Sequence, residues 1–410
     1  MLKKFRSAGS LTDFFGLRQS IVAVLLMAIL VGMGENLAER FLPIYVLALG
    51  GSALAIGLLN GLDNLLSALY SFPGGYVSDR LGYKRALLIF NLVAIAGYAI
   101  VILFPTWQAV LVGAVFFLSW SAISLPATMS LVSSVLPQQK RTMGVSMHSL
   151  VRRLPMALGP LIGGYLIGVY GEVDGIRLAF TVAIVLGFVA LIFQQLMIQE
   201  EKSGAVTAEN NPLRVFRFMS PSLRNLLVSD ILVRFCEQIP YAFVVVWAIN
   251  NLGVSPLQFG LLTSIEMATA VLIYVPIAYL ADKSTKKPFV LLTFGFFTAF
   301  PLLLLFSNSF AWLVIAFIVR GLKEFGEPTR KALILDLSPS NKKASVFGLY
   351  YLLRDAIVSI AAFGGALLWN VSPGTNFLAA FAFGVLGTLY FALFGKDLGE
   401  RQSPAEPSAP

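Results

Sequence analysis

Gly75-Tyr76-Val77-Ser78-Asp79-Arg80-Leu81-Gly82-Tyr83-Lys84-Arg85 stands between two apolar runs of the chain. Each residue type has a physical use where one helix gives way to the next. Gly75 permits another helix to approach closely, and Gly82 lets the chain turn. Asp79 can accept hydrogen bonds from the exposed amides that begin a neighbouring helix. Arg80, Lys84 and Arg85 would be costly in hydrocarbon, so this stretch belongs at a water-facing end of the apolar runs.

Outward from this loop, apolar stretches recur from residue 20 to residue 395. The chain has 410 residues, of which 57% are hydrophobic and 12% charged, whereas a soluble domain is about a quarter charged. Hydropathy places spans at approximately 19–48, 53–78, 84–104, 107–136, 143–170, 175–198, 223–250, 255–281, 288–306, 310–337, 344–369 and 375–395. Basic residues then fix the orientation, because short cytoplasmic loops retain Lys and Arg. Lys3, Lys4, Arg6 and Arg18 precede the first span, and Lys140, Arg141, Lys202, Arg214, Lys283, Lys286, Lys287, Lys342, Lys343 and Lys396 fall in even-numbered loops or the tail. The odd-numbered loops hold Arg177 alone. Both termini are therefore expected in the cytoplasm, and the net charge of +9 reflects topology rather than nucleic-acid binding. The short loops point to a multi-pass protein of a bacterial cytoplasmic (inner) membrane. Cys236, the sole cysteine, lies in an apolar stretch and excludes an intramolecular disulfide.

The chain also repeats itself. A shift of 203 lays Gly57-Leu58-Leu59 on Gly260-Leu261-Leu262, Asp63 on Glu266, Pro73 on Pro276 and Asp79 on Asp282. A shift of 202 lays Pro126 on Pro328, Lys140-Arg141 on Lys342-Lys343, Arg152 on Arg354 and Gly163 on Gly365. A parallel duplication of six helices implies a solute site between the halves. The expected organisation is an N-terminal bundle at 1–198, a cytoplasmic linker at 199–222, a C-terminal bundle at 223–396 and a disordered tail at 397–410. The fold class is all-α integral membrane, with twelve transmembrane helices as two six-helix bundles related by a pseudo-twofold.

With these features in view, the loop at 75–85 resembles the signature loop of the major facilitator superfamily. The resemblance implies that Gly75, Asp79, Arg80, Gly82, Lys84 and Arg85 form a conformational gate, with Asp79 facing the helix that begins near Ser345. The match departs at Tyr83, where the family usually has Arg, and the fourth span lacks the acid that would pair with it. The second-half counterpart carries Asp282 and Lys286, and the tenth span ends with Asp336, so Lys286 and Asp336 are expected to form the ion pair the first half lacks. Gly159-Pro160-Leu161-Ile162-Gly163-Gly164 is similar to the glycine-proline motif of proton-driven exporters in the superfamily, and in any bundle its small residues permit close helix packing. Glu39, four residues before Pro43, has a spacing similar to that of an acid in some multidrug exporters.

Ionisable residues at membrane depth normally face a cavity or each other, because each costs about 2.5–3.5 kcal/mol at a helix centre. The candidates for a substrate and proton cavity are Glu35, Glu39 and Arg40 on the first span, Asp63 on the second, Arg234 and Glu237 on the seventh and Glu266 on the eighth. Arg320, Lys323, Glu324 and Glu327 on the tenth and Arg354 on the eleventh complete the set. Asp230, Arg234, Glu237 and Tyr241 follow one helical face. Asp230 and Arg330, nearer helix ends, have the alternative of reaching the interface. Lys323 is placed to reach Glu327, and Pro328 to kink its helix. Since desolvation favours a neutral carboxyl, one or more of Glu39, Asp63, Glu266 and Glu324 is expected to exchange a proton as the halves rock.

The chain carries no phosphate-cradling glycine loop of the Walker type, nucleophile elbow or metal-ligand cluster, which argues against an enzyme. The expected function is proton-coupled export of small amphipathic compounds by alternating access, the alternative being import of an organic anion or metabolite. A monomer is expected, with a small-molecule solute and the lipid bilayer as partners, no metal, and no cofactor besides a proton gradient.

Overall fold

Pro43 has no N–H to offer the carbonyl of Glu39, and the first membrane helix breaks there. In the computed structural model, α1 (Gln19–Ala38) passes through a 3₁₀ turn, Glu39–Phe41, into α2 (Leu42–Ala48), and Leu42 N–H donates to Glu39 O instead. The described residues are 19–118, 138–198, 216–217, 219–282, 285–338 and 343–396. Most of the fourth span, residues 199–215 of the linker, the tail beyond 396 and, among others, the side chains at 71–80, 138–150, 281–282 and 343–345 lie outside them, so the expectations for Asp79, Arg80, Asp282 and Ser345 do too.

The chain continues as α3 (Ala53–Leu81), α4 (Tyr83–Leu103), α5 (Trp107–Phe117), α6 (Gln138–Tyr170) and α7 (Glu172–Met197). There follow α8 (Pro221–Tyr241), α9 (Phe243–Val246) with a π turn at Trp247–Asn251, α10 (Pro256–Asp282), α11 (Lys287–Phe306) and α12 (Phe310–Leu322). A 3₁₀ turn at Lys323–Gly326 leads into α13 (Glu327–Leu337), then α14 (Lys343–Val371) and α15 (Pro373–Phe394). The described residues are helical with no strand. Among the described residues, seven helices are long and apolar enough to cross a membrane, or eight if α8 and its continuation make one span. Among the described residues, helix occupies the stretches that hydropathy selects.

Connections are tight because particular residues close them. Gly50 and Gly253, at the offset of the repeat, both take positive φ (80° and 67°), as does Gly82 (83°), a conformation that costs glycine little. Thr106 and Ser372 cap α5 and α15 by accepting from Ala109 N–H (3.3 Å) and Thr375 N–H (3.0 Å).

Packing divides the chain into two units, Met1–Val206 with Ala242–Met267, and Thr207–Tyr241 with Ala268–Pro410. In the first, glycines let backbones touch. A Cβ on Gly159 would come within 2.6 Å of Asn36 Cβ, and one on Gly163 would overlap the Leu37 carbonyl oxygen. A Cβ on Gly164 would overlap the carbonyl oxygen of Pro256, and one on Gly260 that of Pro160. Tyr98, Phe117 and Phe180 form a cluster of tilted rings with centroids 5.0–5.6 Å apart. In the second unit, Asn376 bridges α8 and α14 by donating to Ile239 O (3.2 Å) and Gly365 O (2.8 Å). That bridge sits beside Pro240, where α8 ends.

Candidate functional site

Four acids and four bases interlock inside the second unit, with half-exposed Lys331 added on Glu327 at 3.5 Å. Along α8, Asp230, Arg234 and Glu237 share one face, and Arg234 donates to Glu237 Oε2 at 2.6 Å with its Nε 3.8 Å from Asp230 Oδ1. From α13, Glu327 accepts from Arg234 at 3.3 Å and from Arg330 at 2.7 and 3.1 Å. Arg330 in turn bonds Asp230, whose Oδ2 also accepts from Tyr350 at 3.0 Å. From α14, Arg354 lies 3.6 Å from Asp230, pairs with Asp355 at 2.7 Å and stacks over Tyr351 at 4.2 Å. Lys323 closes the series on Glu237 Oε1 at 2.8 Å.

This network decides between the two destinations open to Asp230 and Arg330. Both are 1% exposed, so they are interior partners and do not reach an interface. Burying such ions is tolerable only when each charge is met at bonding distance. Lys323 takes Glu237 across to α8 rather than Glu327 along its own chain. An i, i+4 contact needs α geometry, and Pro328 withholds the N–H that would bond Glu324 O, leaving the 3₁₀ turn that re-aims Lys323. Gly326 N–H, displaced from the helix ladder, donates to Thr293 Oγ1 at 2.5 Å.

At one end the network borders a small pocket lined by Glu237, Tyr241, Phe296, Phe297, Phe300, Arg320 and Lys323. Arg320 is buried among the rings of Phe300 (5.0 Å), Tyr241 (5.4 Å) and Phe317 (5.6 Å). Lys323 lies 5.7 Å and Arg234 5.0 Å from the Phe297 centroid. Such contacts favour cations over ring faces and leave apolar walls for the rest of a ligand. Glu324, in the same turn, is half-buried and is not among the lining residues.

The first unit holds a second polar group. Glu35, Glu39 and Arg40 are half-buried at the break between α1 and α2, and Asp63 is half-buried on α3. Glu39 feels the charges of Arg40 and Arg152, and Asp63 those of Glu39 and Arg40. Glu266, the repeat counterpart of Asp63, is fully buried on α10. The acids Glu39 and Glu324 thus occupy equivalent local settings, each four residues before a proline and each in a 3₁₀ turn.

Of the loop residues, Gly75 lies within α3 and Gly82 makes the turn. Lys84 donates to Gln195 O at 2.8 Å, and Arg85 is exposed. Lys286 and Asp336 form an ion pair between α13 and the residue that precedes α11. The aromatic partners Phe297, Phe300, Tyr350 and Tyr351 escaped sequence reading, because 33 phenylalanines in an apolar chain give no signal of which ones meet a cation.

A family model described as the Major Facilitator Superfamily matches residues 24–236 and 226–410. The chain is similar to an uncharacterized MFS-type transporter of Methanocaldococcus jannaschii, 22% identical over 364 residues, 84% of this chain and 87% of the relative. It is also similar to the multidrug resistance protein MdtG of Klebsiella pneumoniae, 24% identical with 96% of each covered. Among solved structures, a POT family transporter in complex with 5-aminolevulinic acid superposes with a TM-score of 0.79 at 13% identity, over 93% of this chain and 97% of that one.

Proposed function

This chain belongs to the Major Facilitator Superfamily, and from that premise we propose that it exports small amphipathic compounds in exchange for protons. Transport of a small solute across a lipid bilayer follows from the family; direction, coupling and solute are the proposal. The observation that carries it is the pocket of the second unit, where four aromatic rings adjoin Arg320, Lys323 and Glu237. Apolar walls with a few fixed polar groups suit an amphipathic molecule better than a sugar, which would need hydrogen bonds on every side. The likeness to a relative named for multidrug resistance favours export.

Glu39 and Glu324 are the proposed proton carriers. Each stands where a proline has already broken the helix, so a change in its charge acts on a joint rather than a rigid rod. Lys286 with Asp336, and the loop at 75–85, are proposed as the gate that distinguishes the two faces. The setting proposed is a bacterial cytoplasmic membrane with both termini inside.

Everted membrane vesicles test this directly, using an anionic, a neutral and a cationic fluorescent amphiphile. Acidifying the lumen is expected to drive accumulation of at least one probe, a protonophore to abolish it, and Glu39→Gln and Glu324→Gln each to uncouple it. Equal transport without a proton gradient, together with silent variants, would remove the coupling. Accumulation in right-side-out vesicles alone would point to import.

A further inference from the structure

We infer that Thr293 on α11 is a positioning residue for the broken helix of the second unit: it fixes the form of the 3₁₀ turn at Lys323–Gly326 and so aims Lys323 at Glu237. The inference rests on the reading that this joint bends during transport. A proline opens a helix without deciding which way the chain then goes, because the freed backbone can turn toward any neighbour. Here α11 supplies the direction. Phe289, Thr293 and Phe296 follow one of its faces at i, i+4 and i+7. Thr293, 1% exposed, accepts from Gly326 N–H at 2.5 Å. Beside that bond, the Phe325 ring stacks on Phe289 at 5.7 Å and meets Phe296 edge-on at 6.2 Å.

Only glycine permits so close an approach. A Cβ at position 326 would come within 2.5 Å of Phe289 O and 2.6 Å of Thr293 Oγ1. The turn therefore lies with its backbone against α11, and Lys323, three residues earlier, is carried toward α8. There its ammonium bonds Glu237 Oε1 at 2.8 Å and lies 5.7 Å from the Phe297 centroid. Thr293 is not among the residues lining the pocket, so its effect passes through the turn. Valine has the shape of threonine without the oxygen. It would leave the buried Gly326 N–H with no acceptor, and Pro328 stops the chain from regaining an unbroken ladder. Glu237 would keep Arg234 at 2.6 Å as Lys323 moved away, so the loosened turn strands no acid.

Hydrogen exchange on purified protein in detergent reads this bond without any solute. The Gly326 amide is expected to be protected in the native protein, to exchange about tenfold faster or more in Thr293→Val, and to stay protected in Thr293→Ser, which keeps the hydroxyl. Downhill movement of the fluorescent amphiphiles in vesicles, which needs no proton gradient, reads the consequence. Thr293→Val is expected to lower the maximal rate about tenfold at unchanged half-saturation, and Thr293→Ser to retain it. Lys323→Gln is expected to lower it to the same degree and the double variant no further, as for one residue acting through the other. An unprotected Gly326 amide in the native protein, which needs no variant, or exchange as slow in Thr293→Val as in the native protein, would overturn the inference. So would a loss in Thr293→Ser equal to that in Thr293→Val, a native maximal rate in Thr293→Val, or losses that add in the double variant. Probe that moves downhill but ignores a proton gradient would fail the coupling alone. An unprotected Gly326 amide in a protein that still couples would fail this inference alone.

Discussion

Arg330→Met is expected to destabilise the protein by about 3 kcal/mol, towards the lower end of what breaking a buried ion pair costs. The side chain is 1% exposed and bonds two carboxylates, Asp230 and Glu327. Removing it does not strand them completely. Asp230 keeps the Tyr350 hydroxyl at 3.0 Å and Arg354 at 3.6 Å, and Glu327 keeps Arg234 at 3.3 Å and Lys331 at 3.5 Å. Those remaining contacts are why the estimate is not larger. The companion variant Arg330→Met with Asp230→Leu is expected to recover much of the loss, because apolar groups of similar size replace a buried pair at little net cost. Thermal melting in detergent reads both variants. An Arg330→Met protein as stable as the native one, or a double variant worse than the sum of its singles, would show that the network does not hold α8 to α13.

A loss is also expected from a single methyl group at position 163. Gly163→Ala would place its Cβ against the Leu37 carbonyl, overlapping the oxygen and lying 2.9 Å from the carbon. The obstacle is backbone within a helix and cannot rotate away, so α1 and α6 must separate along their contact. Overpacking of this kind costs about 1–3 kcal/mol and occasionally more. The gain in helix propensity from Gly to Ala, about 1 kcal/mol, offsets only part. Gly163→Val is expected to yield no folded protein. Gly168→Ala, on the same helix with no atom within 4 Å, is expected to be silent or slightly stabilising, so it separates the contact from the propensity. Equal melting temperatures for Gly163→Ala and Gly168→Ala would contradict the close approach.

Much of this architecture is legible in the chain because the bilayer leaves few options. Apolar length dictates helices, and glycine or proline at fixed places marks where they turn or break. Pro43 and Pro328 each produce a 3₁₀ turn four residues behind them. The face shared by Asp230, Arg234 and Glu237 follows from helical spacing, and the pairing of Lys286 with Asp336 is what the resemblance to the superfamily's signature loop, carried into the second half, implies. What spacing cannot supply is the partner across helices. Lys323 has Glu327 within reach on paper, yet the turn that Pro328 forces sends it to Glu237. Arg320 ends among Phe300, Tyr241 and Phe317, and Arg354 over Tyr351, although nothing in the order of residues ties those rings to those cations. Binding pockets depend on such meetings, which is why the charged candidates were readable and the pocket was not.

The central claim is that the pocket lined by Glu237, Arg320 and Lys323 is reached from water and does not face hydrocarbon. Cys236 is the sole cysteine and is buried, so a Cys236→Ala background reports only on thiols added elsewhere. Phe296→Cys, at the pocket wall, is expected to react with a membrane-impermeant sulfonated thiol reagent in intact membranes. Leu389→Cys, on the exposed apolar face of α15 with Leu378, Leu386 and Leu393, is expected to stay unmodified. Modification at 389 with none at 296 would contradict the account.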